Sequence, residues 1–146
     1  MDRNCTLFIQ DLSLLNPQTN ESEFINALQR LIEPLEEAEF PQDAIPAVFD
    51  FFERFPDTDM GSPGPLVHFV ERFYPSYFET LVSSLERKPT PSTLWMLNRI
   101  LNANIPQEQR SKGLAVLKVA SQHLGASSEI KNQALHFLKI QNSPRA

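Results

Sequence analysis

The chain has 146 residues, one domain's worth and enough for a real core, with 41% hydrophobic and 21% charged content, ordinary for a soluble globular protein. A single cysteine, Cys5, excludes an internal disulfide and a multi-cysteine zinc site, and suits a reducing compartment. The net charge of −5 hides a sorting by sign: Met1 to Glu86 holds 16 acidic and 4 basic residues, a net of −12, while Arg87 to Ala146 holds 2 acidic and 9 basic, a net of +7.

Helical periodicity recurs along the whole chain, and strict alternation of the kind a half-buried strand needs is missing. The expected helices span 5–15, 21–37, 43–54, 65–73, 76–87, 91–103, 107–124 and 128–140. Asn20 with Glu23 marks the start of the second, and Pro34 inside it predicts a kink or break near Glu33. Ile45, Val48, Phe49 and Phe52 form one apolar stripe, as do Leu66, Phe69, Val70 and Phe73, then Phe78, Leu81, Val82 and Leu85. Ser76 to Glu79 reads as a capping box, and Thr90-Pro91 places a cap before a proline at the first helical position. Gly125 after Leu124 reads as a helix end, with Ser127 or Ser128 capping the last helix. Eleven phenylalanines against two tyrosines point to packing, since Phe carries area without a polar group to satisfy.

The expected fold is therefore all-α, a single helical domain over 1–146, with short links that suggest stacked antiparallel hairpins of the HEAT or armadillo sort, or an irregular helical bundle. Residues 57–64, DTDMGSPG, read as a hinge loop between the acidic and basic halves, and 142–146 as a flexible tail. No apolar run approaches the roughly 20 residues of a membrane helix, and MDRNCTLFIQDL lacks the pattern of a signal peptide, so the expected place is the cytoplasm.

No catalytic, cofactor or metal motif is present. His68, His123 and His136 are far apart in sequence, and His68 with Glu71 shares a helix face but is one pair only. Asp57 and Asp59 resemble the opening of a calcium loop, yet its sixth and twelfth positions hold Ser62 and His68, which favours a turn with Asx caps. Cys5 reads as a packed thiol, and GSPGP lacks the Gly-Lys-Ser/Thr end of a phosphate-binding loop. Asn98, Arg99 and Asn102 are polar exceptions on the apolar helix that carries Trp95, so each is expected to have a bonding partner. The basic residues from Arg87 to Lys139 are dispersed, without aromatic interleaving or a recognition-helix motif, which argues against direct nucleic-acid binding. The acidic run from Glu33 to Asp59, opposed only by Arg54, is either a solvated face or a surface for a basic partner.

PLVHFVERF (65–73) and YFETLVSSLERKPTPSTLWMLNRILN (77–102) resemble a family of small helical bacterial immunity proteins, encoded beside polymorphic toxins of the contact-dependent inhibition or Rhs type. The resemblance is carried by Leu66, Val67, His68 and Glu71, and by Pro89, Thr93, Met96, Asn98 and Arg99, residues that read as structural. It implies stoichiometric neutralisation of a cognate toxin, whose basic C-terminal domain is in many such systems a nuclease. The expected contact surface is Glu36, Glu37, Glu39, Asp43, Asp50, Glu53, Asp57 and Asp59. Two rival readings stand beside it: a HEAT-like adaptor or scaffold, and an enzyme with a site around His68 and Glu71. A homodimer pairing the acidic half of one copy with the basic half of another is a further expectation.

Overall fold

The computed structural model describes residues 1–17, 20–61 and 63–143; Ser62 of the expected hinge and 144–146 of the expected tail lie outside the described residues. Every regular element among the described residues is helical, eight α-helices and two short 3-10 segments. The chain divides into two compact units, Met1–Phe78 and Glu79–Ala146. This division falls later than 57–64, a loop that belongs to the first unit. Met60 within that loop is buried, and the Gly61 amide donates to Asp59 Oδ1 at 3.0 Å.

The first unit holds α1 (Arg3–Leu14), α2 (Glu21–Ile32), 3-10 segments at Glu33–Glu37 and Pro41–Ala44, α3 (Ile45–Arg54) and α4 (Pro65–Glu71). Asp2 caps α1 by accepting from the Asn4 amide, and Asn20 caps α2 by accepting from the Glu23 amide. Pro34 has no N–H to offer the preceding turn, and α2 does end at Ile32, giving way to the tighter helix. α1 is the hub of an irregular bundle, packed against α2, α3 and both 3-10 segments, while α4 packs on α2 and α3. Phenylalanine fills the centre: Phe8 meets Phe69, Phe24 stacks on Phe51, and Phe49 stands edge-on to Phe52, with ring centroids 6.0–6.3 Å apart. Each such ring contributes roughly 1.5–3 kcal/mol by leaving water.

The second unit contains α5 (Phe78–Arg87), which opens at the boundary, then α6 (Pro91–Asn102), α7 (Gln107–Ala120) and α8 (Ser128–Asn142). The Thr90 hydroxyl accepts from the Thr93 amide and the Thr93 hydroxyl from the Thr90 amide, a reciprocal cap ahead of Pro91. Ser127 caps α8 in the same manner. α6, α7 and α8 all touch one another, and Gly113 allows the approach of α7 to α6, since a Cβ there would lie 2.9 Å from Leu101 Cδ2.

Three expectations need correction. The helix expected over 107–124 stops at Ala120, and Leu124 is 97% exposed. Beyond Ala120 the backbone tightens into turns, Gln122 bonding Val119 O and His123 bonding Ala120 O, and the His123 ring fastens them, with Nε2 3.1 Å from Glu86 O and Nδ1 accepting from the Gly125 amide. The helix expected from residue 76 begins at Phe78, and the Ser76 hydroxyl donates back to Phe73 O at 2.6 Å. Asn142, expected in the tail, is the last residue of α8.

Candidate functional site

The eight acidic residues of the expected contact surface all belong to the first unit. Glu36 and Glu37 stand on the first 3-10 segment, Asp43 on the second, Asp50 and Glu53 on α3, and Glu39, Asp57 and Asp59 in connections. Seven are exposed and Glu53 is half-buried. On α3 the arrangement follows from helix geometry: Val48, Phe49, Phe51 and Phe52 turn inward, which leaves Asp50 on the opposite side. The unit as a whole has 14 acidic and 4 basic residues, a net of −10.

Arg54, the only cation within the acidic run, bonds the protein's own backbone and rings and pairs with just one of the carboxylates. Its guanidinium donates to Ser13 O at 3.3 Å and Leu12 O at 3.4 Å, two carbonyls at the C-terminal end of α1. It also lies over the Phe51 and Phe55 rings, 5.4 and 5.3 Å from their centroids. Its ion pair with Asp50, at 3.4 Å, is solvent-exposed and worth only about 0–1 kcal/mol. Arg72 similarly covers Phe69 and Phe73.

Near the start of the chain, Asp2, Cys5, Glu39, Phe40 and Asp43 come together. Asp2 Oδ2 accepts from the Glu39 amide at 3.4 Å, and the Cys5 thiol donates to Phe40 O at 3.3 Å. Burial pushes the Cys5 thiol above its ordinary pKa, and the charges of Asp2 and Asp43 push it the same way. Cys5 is therefore a packed, protonated thiol and a poor nucleophile at neutral pH. Phe40 stands 51% exposed among these carboxylates, the most exposed phenylalanine among the described residues.

A groove of about 330 Å³ runs between the end of α2 with its 3-10 extension and α4, lined by Gln29, Ile32, Glu33, Glu36, Pro65, His68, Phe69 and Arg72. The structure thus sets His68 opposite Glu33 and Glu36, whereas Glu71, its expected companion, does not line the groove. Asp59 forms the expected Asx turn, and no group of three or more metal-ligating side chains occurs among the described residues.

In the second unit the polar exceptions of α6 find a partner that sequence reasoning missed. Gln141 of α8, 5% exposed, donates from Nε2 to Asn98 Oδ1 and Asn102 Oδ1, both at 2.8 Å. Arg110 of α7 bonds Leu101 O at 2.9 Å and Gln141 O at 3.2 Å, neutralising the carbonyl ends of α6 and α8 together. The guanidinium of Arg99 lies 4.7 Å from the Trp95 ring centroid, and Lys112 bonds Glu79 at 2.8 Å, a contact that raises the lysine's pKa. Phe40 and Gln141 escaped the sequence reading, while Glu33 and Arg110 were read only as members of the acidic run and of the dispersed basic set; for Phe40 the available signal was its acidic surround in EEAEFPQD.

Comparison with known proteins returns no match to a family model, to a curated protein or to a solved structure. No helix among the described residues is long and apolar enough to cross a membrane.

Proposed function

We propose that this chain is a non-enzymatic immunity protein of the cytoplasm, binding a basic cognate toxin domain one to one through the acidic surface of its first unit. The observation that carries the reading is the outward presentation of charge. Seven of the eight carboxylates are exposed, in a unit of net −10, while Arg72 lies over aromatic rings and Arg54, held by two carbonyls and two rings, pairs with Asp50 alone. Like charges so placed repel one another, and a basic partner relieves that repulsion on binding. The same field speeds encounter, by roughly 10–1,000-fold at low salt. A partner with a basic substrate channel, such as a nuclease, suits this surface because carboxylates can occupy the positions of backbone phosphates.

Tagged protein purified from its native cells at low and at high salt, followed by mass spectrometry, tests the proposal. The expected result is one salt-sensitive basic partner, the C-terminal part of a large secreted protein. Charge reversal at Glu36, Glu37, Asp43 and Asp50 should slow association at least about tenfold at low salt with helicity unchanged. Capture of a set of housekeeping subunits instead would make the chain an adaptor, and unchanged protection after charge reversal would reduce the acidic face to solvated surface.

A further inference from the structure

We infer that the groove between α2 and α4 receives the cationic head of an arginine or lysine side chain from a basic protein partner. The inference rests on the binding reading above and gives it a particular contact point.

The groove is built from two facing stripes with the same spacing. Gln29, Ile32, Glu33 and Glu36 come from one wall, and Pro65, His68, Phe69 and Arg72 from the other. The break at Pro34 is what aligns the carboxylates. With three residues per turn, positions i and i+3 of a 3-10 helix eclipse, so Glu33 and Glu36 stand one above the other, about 6 Å apart along the axis. In an α-helix the same two residues would diverge by roughly 60°. Neither carboxylate is held in an ion pair among the described residues, and Arg72 across the groove lies over Phe69 and Phe73 instead, 5.3 and 5.6 Å from the ring centroids. Two aligned and unspent negative charges thus sit beside apolar walls supplied by Ile32, Pro65 and Phe69. A long basic side chain matches this pattern, with a methylene stem for the apolar walls and a positive head for the carboxylates. An acidic or neutral side chain would add no counter-charge to the two carboxylates, which otherwise face only Arg72 across the groove.

Nuclear magnetic resonance titration of the full chain tests the inference, with N-acetyl-arginine methylamide and N-acetyl-lysine methylamide as probes. N-acetyl-norleucine methylamide serves as the uncharged control. Saturable shifts of the Ile32 δ1 methyl and His68 ring signals with the cationic probes, absent with norleucine, are expected. The double variant Glu33→Gln/Glu36→Gln should weaken binding about fivefold to tenfold, whereas Asp11→Asn/Glu21→Gln, exposed acids outside both the groove and the proposed contact surface, should leave it unchanged. Shifts spread evenly over the acidic residues, or binding that survives Glu33→Gln/Glu36→Gln, would overturn the groove assignment. The two readings fail separately. A partner captured by the acidic face but indifferent to Glu33→Gln/Glu36→Gln removes the groove alone. Probe binding in the groove without any basic partner in cells removes the immunity reading and keeps the site.

Discussion

Gln141→Ala should be the most disruptive polar substitution in the second unit, and its cost can be worked from the contacts. The side chain is 5% exposed and its amide holds two hydrogen bonds of 2.8 Å, to Asn98 and Asn102. Each such bond contributes a net of about 1 kcal/mol, and the lost side-chain carbon adds about 0.8 kcal/mol per methylene. Water can replace part of the bonding at Asn102, which is exposed, so the expected loss is roughly 2–3 kcal/mol rather than more. Equilibrium urea unfolding followed by circular dichroism would show this as a midpoint lowered by roughly 1–2 M, given the slopes usual for small domains. The sharper assay is a pair of double-mutant cycles, Gln141→Ala with Asn98→Ala and with Asn102→Ala. Coupling of about 1 kcal/mol is expected at half-buried Asn98 and about half that at Asn102. Coupling below about 0.3 kcal/mol in both cycles would refute the idea that this amide joins α8 to α6, whatever the single variant costs.

Replacing Arg54 by Met removes the two bonds to the α1 carbonyls and the cover over Phe51 and Phe55, and should cost about 1–2 kcal/mol in urea unfolding. Asp50→Asn, which removes only an exposed ion pair, should cost under about 0.5 kcal/mol. Cys5, buried with its thiol pKa raised from 9.0, should react with a disulfide reagent at pH 8 far more slowly in the native chain than in urea. Its raised pKa means the folded state holds the thiol proton more tightly than the unfolded chain does. That contribution is full below pH 9.0 and is lost as the pH climbs from there through the folded value, and Cys5→Ala should flatten the corresponding fall in unfolding free energy. Gly64 has φ of +89° and its pro-Cβ position runs into Met60 O, so Gly64→Ala should lower stability by about 2 kcal/mol or more, measurable as a drop in Tm.

Local signals carried the elements that local forces decide. The stripe of Ile45, Val48, Phe49 and Phe52 is buried as its spacing implies, Thr90 and Asn20 cap the helices they precede, and Pro34 ends α2. The end of α7 was misread for an equally physical reason. Val116, Leu117, Ala120 and Leu124 continue a helical spacing, but the chain turns after Ala120, where His123 bonds Glu86, 37 residues away, and Leu124 is left in water. Long range also hid the side-chain groupings. Gln141 meets Asn98 and Asn102 across 43 and 39 residues, and His68 faces Glu33 and Glu36 from a different helix, so no local window contains these groups together. The outward face of the acidic run was legible, because on α3 its neighbours had to turn inward.

Pro34 also sets a length. Five residues in the 3-10 form from Glu33 to Glu37 advance about 10 Å, where an α-helix would advance about 7.5 Å. The extra 2.5 Å or so, nearly the reach of a hydrogen bond, carries the following chain toward the first turn of α1. There the Glu39 amide meets Asp2, and the Phe40 carbonyl accepts a hydrogen bond from the Cys5 thiol. An uncharged ring thus acts as a spacer, and shortening it would draw the exposed Phe40 corner off its anchor before any charge on the surface had changed.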